Sequence, residues 1–179
     1  VEVGLKRYSE KYKHSSEVNS PFVLYEKYSR RDVSLLMNCG RDLSSTMYGM
    51  KRIGEDVFLF VTYHKQESSD DREYVDGKPD YADVFEDDMI FRWDSQIGRG
   101  IDSSYIADVT DAKRRHLLIK KSDAESNFYY MGQFDIMDMK PSKKRDNKGK
   151  YRDIVKVQMK MHHAVREDLL RYLQSNIQV

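Results

Sequence analysis

Val57-Phe58-Leu59-Phe60-Val61-Thr62-Tyr63-His64-Lys65 is the stretch on which the fold turns. Its first five residues are apolar and, apart from Leu59, β-branched or aromatic, a run too short for a helix and suited to a central strand. The run turns polar from Thr62 onward, so the strand should end at a surface rather than in more core. A second strand follows an acidic, Gly/Pro-containing loop. It reads Phe91-Arg92-Trp93-Asp94-Ser95-Gln96, with Ile90 facing away from the ring pair Phe91 and Trp93. The loop between them carries Tyr74, Tyr81, Asp83 and Phe85. Aromatics, an amide, a hydroxyl and a carboxylate gathered at strand ends are what a pocket for a planar, hydrogen-bonding ligand requires, and a nucleobase is such a ligand.

Outward from this pair, further strands are expected over His116 to Lys120 and Asn127 to Gly132, separated by a polar turn. Another, over residues 133–139, should be bent out of its predecessor, and the last should run through Ile154, Val155, Val157, Met159 and Met161. Ser29 before Arg30-Arg31-Asp32 and the apolar set Val33, Leu36 and Met37 reads as an N-capped short helix stopping near Gly40. Ser103-Ser104 opens a second helical turn. Val165, Leu169, Leu170, Leu173 and Ile177 have the spacing of an amphipathic third helix. The expected class is α+β, a curved sheet or half-closed β-barrel flanked by short helices. Residues 1–21 are polar and read as a linker or surface arm, and residues 22–179 as a single domain.

Of 179 residues 34% are charged, yet the formal net charge is only +1, which excludes a uniformly basic nucleic-acid coat and requires local clusters for any phosphate binding. The one cysteine, Cys39, permits no internal disulfide and no Cys-based metal site, as expected of a reducing cytoplasm. No apolar run approaches membrane-spanning length. The chain begins at Val1 without a methionine, as a piece cut from a longer polypeptide would. A cytoplasmic, membrane-independent module is the expectation.

For the base pocket the candidates are Tyr63, Tyr81, Asp83, Phe91, Trp93 and Ser95. The rings would stack on a base, and Asp83 would accept a hydrogen bond from an exocyclic amino group, the feature that separates cytosine from thymine. The same rings also suit plain core packing, and Asp83 an ordinary solvated loop. For the DNA backbone the candidates are Arg30 and Arg31 at a helix start, His64 and Lys65 at a strand end, Arg99, and Lys143, Lys144 and Arg145. The last three belong to a basic hairpin loop over residues 140–151. Whether these clusters share a face with the pocket is left open by the sequence. No HxxxH, HExxH or cysteine pair supports a metal site, no GxSxG a nucleophilic triad and no GxxxxGK[ST] an ATPase, so no catalytic residue, metal or cofactor is expected.

Six motifs occur in one order: Tyr28-Ser29-Arg30-Arg31-Asp32-Val33; Phe60-Val61-Thr62-Tyr63-His64-Lys65; Tyr81-x-Asp83-x-Phe85; Phe91-x-Trp93-x-Ser95; Phe128-Tyr129-Tyr130-x-Gly132; and the run from His163 through Leu173. The series resembles the C-terminal domain of type IV restriction enzymes that join a phospholipase-D-type nuclease and a DEAD-box helicase to a modified-DNA-recognition domain. The resemblance implies an SRA-like reader that binds double-stranded DNA containing 5-methylcytosine or 5-hydroxymethylcytosine and flips the modified base. It also implies partner helicase and nuclease domains on the same polypeptide. The alternative is an interaction or regulatory module coupling a helicase motor to its nuclease, with the aromatics in the core and the basic loop against another domain.

Overall fold

The computed structural model describes residues 20–64, the strands Tyr74–Val75 and Lys78–Pro79, and residues 83–176. In chain order the elements are β1 (Lys27–Tyr28), α1 (Arg30–Leu36), β2 (Met50–Ile53), β3 (Asp56–His64), β4 (Tyr74–Val75), β5 (Lys78–Pro79), β6 (Val84–Phe85) and β7 (Ile90–Asp94). Then come α2 (Ser104–Thr110), β8 (Arg114–Ser122), β9 (Phe128–Arg145), β10 (Tyr151–Met161) and α3 (Glu167–Gln174). Eight strands form one mixed sheet in the order β2-β3-β8-β9-β10-β7-β6, with β1 beside β9, while β4 and β5 pair separately. The class is α+β, with an open sheet and short helices.

The fully apolar run of β3 follows from its place. It pairs antiparallel with β2 and parallel with β8, and a strand covered on both faces needs apolar residues at every position. Its alternation sends Val57, Leu59 and Val61 into one core with α2, α3 and the β7–β10 half of the sheet. Phe58 and Phe60 face the other way into a second core with Phe22, Tyr28, Val33, Phe128 and Tyr130.

Strand β9 joins the halves. It pairs with β8 through residues 129–133 and with β10 through residues 134–145. The change of direction falls at Gly132, whose φ of 98° favours glycine, beside a register shift opposite Leu117/Leu118. A second shift, between Gln158 and Met159, leaves Met137 exposed and turns Met139 back toward the core. The expected basic hairpin loop is therefore mostly ladder. Residues 140–145 pair with residues 151–156 as a two-stranded arm, and only Asp146 to Lys150 turn the chain. A charged run with Pro141 hides a strand because the apolar residues at the root of the arm, Ile154 and Val155, lie on β10, and residues 140–145 opposite carry no apolar alternation of their own.

The first two helices start where the sequence places them, whereas α3 begins at Glu167, after Val165, which is buried just ahead of it. Ser29 and Asp32 form a reciprocal capping box on α1, and Ser103 Oγ accepts from Ile106 N on α2. The capping box occupies the amides of Ser29 and Asp32. Among the described residues no helix is long and apolar enough to cross a membrane.

Under the second core runs a polar chain in which Asp56, His116 and Tyr130 are buried and Arg114 reaches the surface. His116 Nε2 donates to Asp56 Oδ1 at 2.7 Å, His116 Nδ1 lies 2.8 Å from Tyr130 Oη, and Arg114 grips both Asp56 oxygens at 2.8 Å. Burial alone would raise the Asp56 carboxyl, but the hydrogen bonds from His116 and Arg114 outweigh it and hold the group at about 2, below its ordinary 3.8. A depressed carboxylate stabilises the fold fully above 3.8 and loses that effect as pH falls from there through about 2. Asp56→Asn should cost about 3 kcal/mol at neutral pH by leaving the partners unpaired. Urea titrations between pH 2 and 6 should show a steep acid loss in the parent that the variant lacks.

Candidate functional site

Strand β7 points Phe91, Trp93 and Ser95 inward and Arg92 outward. Trp93 lies opposite Val157 of β10 and stacks on Tyr105 of α2, with ring centroids 6.2 Å apart and planes 16° from parallel. Just past the strand, Ser95 replaces a length of ladder. Its N–H donates to Val155 O at 2.9 Å, its Oγ accepts from Val155 N at 2.8 Å, and the same hydroxyl donates to Arg99 O at 2.7 Å. Gly98 N donates to Asp153 O at 2.8 Å, and Ser103 Oγ to Gly100 O at 2.6 Å. The loop over residues 96–103 is thus tied to the root of the basic arm. Between the two lies a groove of about 300 Å³ lined by Gly100, Ile101, Ser142 and Ile154 among others.

Tyr105 sits where these parts meet. Arg99 places its guanidinium carbon 5.6 Å from the ring centre. Asp83, anchored by accepting from Asp94 N at 3.1 Å, is near enough for its charge to act on the phenol. Burial pushes that phenol up to about 12, with Arg99 pulling it down and Asp83 adding to the rise. The side chain therefore stays neutral and able to donate. Tyr105 is only 9% exposed, yet its hydroxyl is buried without a hydrogen-bond partner among the described residues. Such an orphan costs about 1–3 kcal/mol and requires an explanation.

The pocket expected from sequence is divided by the fold. Asp83, Trp93 and Ser95 converge around Tyr105, and Arg99 joins them. Phe91 is fully buried against Phe85, a core residue rather than a wall. Tyr63 is half-buried and belongs elsewhere: its ring stacks on Phe85 at 6.4 Å and its hydroxyl accepts from Phe85 N at 3.3 Å. Burial raises its phenol, while hydrogen bonds from Phe85 and Gln174 pull it down. His64 Nε2 donates to Leu173 O at 2.7 Å and so fastens α3. Tyr81 and Lys65 lie outside the described residues.

The cation clusters are also divided. Arg30 lies over the rings of Phe60 and Phe128, on the opposite face of the sheet from Trp93, and Arg31 reaches Asp42 at 3.8 Å. Arg114 is spent on Asp56, and Arg115 donates to the carbonyls of Val109 and Thr110 at the end of α2. The arm does share the edge of the site. On it Lys143 pairs with Asp153 at 2.8 Å and Arg145 covers Tyr151 at 5.0 Å. Direct cross-strand partners share a face, so Lys143 and Arg145 lie on one side of the arm and Lys144, opposite Arg152, on the other. Residues 138–156 hold eight Lys/Arg against three Asp, which concentrates positive charge on an otherwise near-neutral chain. Among the described residues no three His, Cys, Asp or Glu side chains are grouped to hold a metal.

Tyr105 is the site residue that sequence reading missed. Helical spacing makes Tyr105 one more apolar contact of α2, and only the unpartnered hydroxyl distinguishes it.

Residues 22–173 match the family model described as "Domain of unknown function (DUF3427)". No curated protein matches the chain. Among solved structures, one similar fold is the crystal structure of KRYPTONITE in complex with mCHG DNA and SAH, with a TM-score of 0.47 and 10% identity, covering 91% of this chain and 38% of that one. Another is SUVH6 of Arabidopsis thaliana in complex with SAM, with a TM-score of 0.48 and 10% identity, covering 96% and 33%. The chain spans between a third and two fifths of either.

Ser95→Ala should remove the buried acceptor of Val155 N and the donor to Arg99 O, at a cost of about 1–3 kcal/mol in urea unfolding. Amide exchange should quicken over residues 96–100 but not in β3 or β8.

Proposed function

The chain belongs to the DUF3427 family, and since that membership specifies no activity we propose that it is a DNA-binding module that reads 5-methylcytosine or 5-hydroxymethylcytosine in duplex DNA. The observation that carries this is the convergence, at one sheet edge, of a stacked ring pair, a carboxylate, an unpartnered buried hydroxyl and a positively charged arm. Each part answers a need of base reading. A flipped base loses stacking worth a few kcal/mol, which ring contacts and hydrogen bonds to its Watson–Crick edge would offset. Trp93 and Tyr105 supply rings, and Asp83 an acceptor for an exocyclic amine. The arm supplies cations for phosphates, which position the duplex without reading it.

The modification itself is a small signal. One methyl in a fitted apolar pocket discriminates by about 1–3 kcal/mol. In the apolar core that holds Trp93 and Tyr105, Met50, next to Gly49 and no more enclosed than Tyr105, would present such a wall. Further selectivity would come from flanking contacts of the loop over residues 96–103. The order of the six sequence motifs extends the reading: the domain would serve a modification-dependent, type IV restriction enzyme, binding and licensing cleavage by nuclease and helicase domains on the same polypeptide. In that assembly it would perform no chemistry of its own.

The burial of Phe91 and Trp93 favours one competing reading, an interaction module in which the rings are core alone. Binding decides between them. Matched duplexes, unmodified or with 5-methylcytosine or 5-hydroxymethylcytosine, should show a modification-dependent gain of about tenfold that persists when salt is raised, since the gain comes from base rather than phosphate contacts. Equal, salt-sensitive binding would leave a phosphate-binding arm alone, and no binding would favour the interaction module. Replacing Lys148 and Lys150 by Ala should weaken all duplexes alike and lower the slope of log K against log salt by about 1 for each phosphate no longer neutralised, leaving the modified-to-unmodified ratio unchanged.

A further inference from the structure

Tyr48-Gly49-Met50 runs along the edge of the sheet beside α2 and meets the site at one point. Gly49 has a φ of +69°, a conformation that favours glycine, and its carbonyl accepts from Phe60 N at 2.7 Å. A side-chain carbon built on it would lie 3.3 Å from Gln96 Nε2 and 3.8 Å from Tyr105 Oη. Two hydrogen-bond donors therefore lie together on the same side of Gly49, where any larger residue would crowd them. Tyr105 Oη has no partner there among the described residues. Gln96 Nε2 has only a long bond, 3.4 Å, to Tyr48 O, and Gln96 itself is exposed and able to swing aside.

We infer that Tyr105 Oη and Gln96 Nε2 are a donor pair that receives a ring carbonyl of the bound base, with Asp83 facing the amino group at the other end of the same edge. This rests on the reading of the domain as a modified-cytosine reader and names the edge it recognises. Cytosine presents an amino group at one end of its Watson–Crick edge and a carbonyl at the other, whereas thymine, which carries the same C5 methyl, presents carbonyls at both. A carboxylate at one end and two donors at the other match cytosine and set a carbonyl of thymine against the charge of Asp83. The methyl wall then separates modified from unmodified cytosine, and the polar ends separate cytosine from thymine.

The test uses the whole chain and three variants: Tyr105→Phe, Gln96→Ala and the pair together. Tyr105→Phe removes one oxygen and keeps the stacking ring, so its unfolding midpoint should equal or exceed that of the parent. Its affinity for a 5-methylcytosine duplex should fall about tenfold with an unchanged salt slope. Gln96→Ala changes an exposed side chain and should lose several-fold. The parent should prefer 5-methylcytosine to a duplex carrying thymine opposite guanine at the same position. A lowered unfolding midpoint for Tyr105→Phe would make the hydroxyl structural and overturn the assignment. Unchanged affinity of Tyr105→Phe and of the double variant, in a parent that does prefer modified DNA, would overturn the donor pair alone. A parent without that preference would remove the reader and the donor pair together.

Discussion

One strand belongs to both halves of this molecule, and everything at the site depends on that. β9 hydrogen-bonds to β8 before its bend at Gly132 and to β10 after it. Because β10 in turn sets the register of β7, the position of Trp93 relative to α2 is fixed through three successive ladders rather than by a loop. The bend also brings the two half-sheets around a single apolar core, where Leu117 and Met131 from one half meet Phe91 and Met159 from the other. Residues other than glycine rarely adopt the backbone conformation found at residue 132, and the register shifts beside it and at Gln158/Met159 are the irregularities in the ladders that join the two half-sheets.

Buried polar groups separate structure from function here. Ser95 and the Asp56–His116–Tyr130 chain are enclosed, but each has partners, and each links elements distant in sequence. Their cost in desolvation is offset locally, and they specify register and packing. Tyr105 differs: its ring is well packed and its hydroxyl is not satisfied. Phenylalanine would fill the same space without that penalty. Arg30 Nε, over Phe60 and Phe128 on the other face, is the second buried group without a partner among the described residues, so what marks the site is the orphaned hydroxyl together with Asp83 and Arg99 around its ring.

Most of the framework was legible from residue patterns. The apolar run of β3, the paired rings of β7 and the Ser29 and Ser103 caps are local signals, and local physics decides them. What stayed hidden depends on topology. Arg30 and Arg99 read alike in sequence, but the sheet places Arg30 over Phe60 on one face and Arg99 over Tyr105 on the other. Tyr63 and Trp93 each end an apolar run, yet Tyr63 falls beside Phe85 and α3 while Trp93 falls beside α2. Residues 140–145 carry no apolar alternation because the buried residues at the arm's root, Ile154 and Val155, belong to the partner strand, so a ladder looked like a loop. Asp83 and Ser95 were recognisable by residue type, though their anchoring to Asp94 N and Val155 N could come only from strand register.

Charge distribution completes the picture. A chain of net charge +1 gathers its excess of cations on an arm whose own aspartates, Asp138, Asp146 and Asp153, pair with Lys140, Arg152 and Lys143. Pairs so exposed contribute little stability, and salt screens them. They do fix the direction of long side chains on a two-stranded arm that lacks a core, and they lower the repulsion between neighbouring cations. An arm organised in this way keeps a positive surface without unfolding itself. Hydrogen bonds shorter than 3 Å from Ser95 and Gly98 tie its root to the loop that carries Arg99, whose guanidinium lies 5.6 Å from the centre of the Tyr105 ring, so arm, loop and ring form one connected unit.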